Sequence, residues 1–101
     1  MLSAVTRLDE GIQDLVVSPA GDAPTLVCRP FLGGDIFEDE MIVLAHVAVG
    51  YSDQAIAEGM ASGLGKVRWL ARCAIAKLGA RNRPHAVTRA IALGYLELRP
   101  K

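Results

Sequence analysis

The sequence predicts a mainly α-helical protein: a four-helix bundle containing a helix-turn-helix, preceded by a short N-terminal helix and an extended segment. Three observations lead there. Apolar residues recur at three- and four-residue spacing through most of residues 35–94, the period of a helix with one buried face. That stretch is punctuated by Gly50, Ser52, Gly79, Pro84 and Gly94, residue types that start and stop helices. Finally, 51% of the chain is hydrophobic but only 5% is aromatic. Aliphatic side chains and alanine must therefore fill the core, which favours packed helices over a β-sandwich.

The elements follow in order. Residues 3–16 place Val5, Leu8, Ile12, Leu15 and Val16 at helical spacing, with Ser3 as N-cap. Gly11 weakens this helix. Residues 18–24 carry two prolines and a glycine and form a turn. Residues 25–32 suit a short extended segment, since Thr25, Val27 and Phe31 favour a strand. A lone strand needs a second chain as partner, or it is an ordered loop. Gly33 and Gly34 mark a boundary. Residues 1–34 are expected to be a dimer or partner arm, and residues 35–97 the helix-turn-helix domain.

The first helix of that domain is capped by Asp35 or Phe37, and Glu38, Asp39 and Glu40 crowd its first turn. Carboxylates there favour the positive end of the helix dipole. Met41, Leu44, Ala45 and Ala48 form its buried face. Gly50 closes it as a left-handed cap. Ser52 caps the second helix, which turns Ile56, Ala57 and Met60 inward. Residues 62–65 are the connecting turn. A third helix runs over 64–78 and is closed by Gly79; a fourth runs over 84–94, opened by Pro84 and stopped by Gly94.

On a helical wheel the third helix divides sharply. Val67, Leu70, Ala71, Ala74 and Leu78 share one side, and Arg68, Trp69, Arg72 and Ala76 the other. Lys66, Cys73 and Lys77 flank them. Arginine can bridge guanine O6 and N7, and tryptophan can touch a thymine methyl. Lys66 and Lys77 suit phosphates, which orient a helix without reading sequence. The plainer alternatives are a Trp69 buried against the N-terminal segment, and arginines on a solvated face paired with Glu38–Glu40.

Charge supports a polyanion partner. The chain is neutral, with 11 basic and 11 acidic residues, yet residues 1–58 hold ten acids against two bases and residues 59–101 nine bases against one acid. Other chemistry is thin. Cys28 and Cys73 make no disulfide framework. His46 and His85 lack metal-ligand spacing with them, and His46 is expected at the edge of the core. Gly63 to Lys66 is too short for a phosphate loop. No nucleophile and base fall on one surface. These absences argue against an enzyme, a metal or a cofactor. No apolar run approaches membrane-spanning length, and Asp9, Glu10 and Asp14 interrupt any secretory signal. The expected setting is a reducing cytoplasm.

The quoted residues resemble the LuxR/GerE-type helix-turn-helix of bacterial transcription regulators, without a gap from about Ile36 to Leu96. Glu40 matches an early acidic residue. Ala48-Val49-Gly50-Tyr51-Ser52 matches Ala-x-Gly-x-Ser, and Asp53-Gln54-Ala55-Ile56-Ala57 matches a polar pair with Glu-Ile-Ala. Lys66-Val67-Arg68-Trp69-Leu70 stands at the start of the recognition helix. Lys77-Leu78-Gly79-Ala80-Arg81-Asn82-Arg83-Pro84-His85-Ala86-Val87 matches the specific closing motif. Gly63 stands where a serine usually caps the recognition helix. Gln54 and Gly59 replace residues that are often basic, which implies few phosphate contacts and a shallow salt slope.

The resemblance implies a LuxR-type four-helix domain that binds double-stranded DNA as a homodimer. Arg68, Trp69 and Arg72 map to base-reading positions. The last helix would dimerise, through Val87, Ala90, Ile91 and Gly94. The expected function is sequence-specific transcription regulation with helix 64–78 in the major groove. The rival expectation is a protein-interaction module on the same scaffold, binding RNA polymerase or another regulator.

Overall fold

The computed structural model describes residues 5–7, 15–17, 25–28 and 36–99. It is mainly helical. Four helices follow three short strands, and a fourth strand closes the chain: β1 Val5–Arg7, β2 Leu15–Val17, β3 Thr25–Cys28, α1 Glu38–Ala48, α2 Asp53–Gly59, α3 Leu64–Lys77, α4 Arg83–Ala92 and β4 Leu96–Arg99. The strands form an antiparallel sheet in the order β1-β2-β3-β4.

The sheet corrects the expectation for the N-terminal segment. Val5–Arg7 and Leu15–Val17 are strands, not turns of one helix. Val5, Thr6, Val16 and Val17 are β-branched and favour extended backbone. Ladder bonding outweighs the helical spacing of the same residues: Val5 stands opposite Val17, and Val17 opposite Leu26. The extended segment expected at 25–32 is present as Thr25–Cys28. Its partners come from the same chain, β2 on one side and β4 on the other. The Ser3 cap, Leu8, Gly11, Ile12, the turn at 18–24, the rest of the 25–32 segment, Gly33-Gly34 and an Asp35 cap lie outside the described residues.

The helices begin and end close to where the caps place them. Phe37 is the N-cap of α1, and its amide donates to Glu40 Oε1 at 2.8 Å, the backward half of a capping box. Gly50, at φ 102°, turns the chain out of α1, and the Tyr51 amide closes on the His46 carbonyl at 3.0 Å. Ser52 caps α2 by accepting from the Ala55 amide at 3.1 Å. Asn82, which the sequence reading passed over, caps α4 by accepting from the His85 amide at 2.9 Å.

α1 is the central beam. Glu40, Met41, Val43, Leu44, Ala45 and His46 are all buried, so contact surrounds it on most sides. Met41, Leu44 and Ala45 join Leu26, Cys28, Ala74, Leu78, Ala86, Ala90 and Leu96 in the larger core cluster. Val43 faces the smaller one, with Ile56, Ala57, Val67, Leu70 and Ala71. The boundary expected at residue 34 thus falls between elements that share a core. His46, expected at the core edge, lies fully inside it. No helix among the described residues is long and apolar enough to cross a membrane.

Candidate nucleic-acid interface

α2 and α3 meet across a tight turn. Met60 ends α2, Ala61 takes a left-handed conformation at φ 51°, and the Ser62 amide returns to the Ala57 carbonyl at 2.9 Å. Gly63 is the N-cap of α3 and offers no side-chain bond. This turn sets how α3 leaves the bundle.

The inward side of α3 matches its sequence pattern residue for residue. Val67, Leu70, Ala71, Ala74 and Leu78 are all buried. Fixing that face to α1 and α2 forces the opposite face outward. Lys66, Arg68, Trp69 and Arg72 are exposed. Trp69 is 54% exposed, so it is not buried. The Arg68 side chain is 61% exposed. Cys73 is half-buried, and neither it nor the buried Cys28 is in a disulfide.

Lys77 is paired within its own chain. Its ammonium donates to Glu40 Oε1 at 2.7 Å and sits 3.8 Å from the centroid of the Phe37 ring. Only 2% of the Glu40 side chain is exposed. A buried carboxylate needs a cation, and α3 ends where Lys77 can supply one. Lys77 therefore ties the end of α3 to the start of α1. The early acidic residue and the late lysine were both legible in the sequence, but their pairing across 37 positions was not.

A second ionic cluster borders the exposed face. Asp53, first residue of α2, accepts from both terminal nitrogens of Arg83, at 2.5 and 2.9 Å. Arg68 Nε lies 3.7 Å from the same carboxylate. The hydrogen bond from Arg83 holds the Asp53 carboxyl below its ordinary range, against a smaller opposing effect of burial. Arg68, read as either a groove-facing residue or a partner of Glu38–Glu40, stands beside Asp53. Arg89 donates through Nε to the Leu78 carbonyl and fastens the end of α3 to α4.

The face expected to dimerise is partly redirected. Ala90 is fully buried in its own chain's core, because α4 turns Ala86 and Ala90 inward together, one helical turn apart. It cannot meet a second copy. Val87 is half-buried and Ile91 is 39% exposed. Gly94 is in the turn after α4, at φ 88°. An open groove of about 510 Å³ is lined by Val47, Ala48, Arg83, Pro84 and Val87.

No protein family, curated protein or solved structure matches the chain. The site is therefore read from its own geometry: an anchored helix presenting two arginines, a lysine and an indole. Among the described residues, no three His, Cys, Asp or Glu side chains gather as a metal would require.

Proposed function

We propose that this chain is a sequence-specific DNA-binding regulator that docks α3 in the major groove as a homodimer. The observation that carries the reading is the split of α3. One side is sealed into the core, and the Arg68, Trp69 and Arg72 side is open. An exposed indole between two guanidinium groups suits base edges in a groove about 12 Å wide. The residues that resemble the LuxR/GerE-type domain support the same reading, and action on DNA would place the protein in the bacterial cytoplasm.

The dimer would form along α4. Pro84, Val87 and Ile91 make a stripe of i, i+3, i+7 spacing. In an antiparallel pair of α4 helices, Ile91 of each copy would meet Pro84 and Val87 of the other, at the mouth of its groove. Such a self-complementary contact is what a two-fold axis requires. It would set two reader helices about 34 Å apart, one turn of DNA.

Selection from random DNA, followed by gel-shift titration at fixed salt, tests this reading. Arg72→Ala should lower affinity for the selected site at least about tenfold, the value of one bidentate base contact. Lys101→Ala should lower it far less. Equal losses would remove the groove-reading role.

One observation favours the second reading, a module that binds RNA polymerase or another regulator. Glu40 pairs with Lys77 and Asp53 stands beside Arg68, so carboxylates offset part of the positive charge on this side of the bundle. Retention on heparin at low salt separates the two. Clean flow-through would favour the protein partner.

A further inference from the structure

Asp53 begins α2, yet its carboxylate serves three helices. Arg83 of α4 grips both oxygens, at 2.5 and 2.9 Å, and Arg68 of α3 turns its Nε toward Oδ2 at 3.7 Å. The two contacts differ in kind. The Arg83 grip is bidentate and fixes the carboxylate in place. The Arg68 contact exceeds hydrogen-bond length, and its side chain is 61% exposed. A pair so long and so wet adds little to stability.

Its effect is on direction. An arginine meets guanine end-on through its two terminal nitrogens, reaching O6 and N7. With Nε turned toward Asp53, that end-on edge is the one directed away from the carboxylate. The negative charge also opposes close approach of a phosphate beside Arg68, where non-specific binding would hold it.

Resting on the DNA-binding reading above, we propose that Asp53 is a positioning residue that sets specificity. It holds Arg68 end-on toward a guanine and disfavours its swing onto the DNA backbone. Asp53 touches no base itself; Arg83 locks its carboxylate, and the carboxylate aims Arg68.

A double-mutant cycle on the full chain tests this. The probes are a duplex selected by the wild type from random DNA and a scrambled duplex of equal length. Asp53→Asn should cut the selected-to-scrambled affinity ratio by about 5- to 10-fold, largely by tightening scrambled binding. In the Arg68→Ala background, Asp53→Asn should leave the ratio unchanged, while melting temperature falls in both backgrounds as the Arg83 grip loosens. A merely structural Asp53 would move melting temperature and leave the ratio alone, or move the ratio equally in both backgrounds; either result overturns the proposal. Asp53→Ser repeats the cycle should Asp53→Asn fail to fold. A wild type with no preference for any duplex would instead remove DNA reading itself, and the role of Asp53 with it.

Discussion

His46 is the most exacting residue in the chain. Its Nδ1 donates to the Ile42 carbonyl at 2.8 Å, which leaves Nε2 as a bare acceptor in the neutral ring. Nε2 is buried with no hydrogen-bond partner among the described residues, and the Tyr51 ring stands 5.3 Å from the imidazole. An unsatisfied buried acceptor costs about 1–3 kcal/mol. Burial lowers the histidine's pKa, and the bond to Ile42 only partly opposes this. The folded protein therefore binds fewer protons at this site than the unfolded chain. Stability from this group is complete above the unfolded value near 6.5 and drains away as pH falls from there toward the folded value. The slope can reach about 1.4 kcal/mol per pH unit. His46→Leu should raise the melting temperature at pH 7 and flatten its decline between about pH 6.5 and 5. Thermal melts between about pH 7 and 5 would check both, and an unchanged acid slope would count against this role for His46.

At the scale of elements, the turn between α2 and α3 carries a strained position. Ala61 sits at φ 51° between α2 and α3, a region where a side chain costs about 1 kcal/mol. Ala61→Gly should relieve part of that and stabilise the fold by roughly 0.5 kcal/mol. Gly65 is the opposite case, since a side-chain carbon there would meet nothing within 4 Å. Gly65→Ala should therefore add about 0.5–1 kcal/mol through helix propensity. Thermal melts of both variants measure these gains. The helices were legible because their signals are local. Ser52, Gly50 and Gly79 act within a few residues, and the buried face of α3 repeats inside one window. The exposed face of α3 followed from the same wheel. What escaped notice was long-range: Lys77 meeting Glu40, Arg83 meeting Asp53, and Ala90 turning inward. Each needs two elements placed before either residue's role is visible.

Across the whole molecule, the sheet was the part least legible. Val5, Leu15 and Val16 fit a helical period as well as a strand, and Leu96–Arg99 shows no turn signal that would name β3 as its mate. Sheet pairing joins residues about 70 positions apart, so no window along the sequence contains it. That pairing matters to the helices, because Leu26 and Leu96 sit in the same core cluster as Met41 and Leu44. Leu96→Ala should cost about 2–4 kcal/mol and lower the stability of the entire bundle in one cooperative step. Loss of strand signal alone, with helices melting as before, would mean the sheet is an independent appendage. The outer stripe of α4 makes its own forecast. In the homodimer proposed above, Ile91→Asp should give a monomer in sedimentation while leaving the fold intact, because Ile91 is 39% exposed.

The surrounded position of α1 has an evolutionary corollary. Substitution there must satisfy two sets of neighbours at once, so this helix will tolerate little drift. The outward side of α3 belongs to neither core cluster, and Arg68 there meets Asp53 only at long range. Lineages could exchange Trp69 or Arg72 for other side chains with the scaffold beneath left as it was.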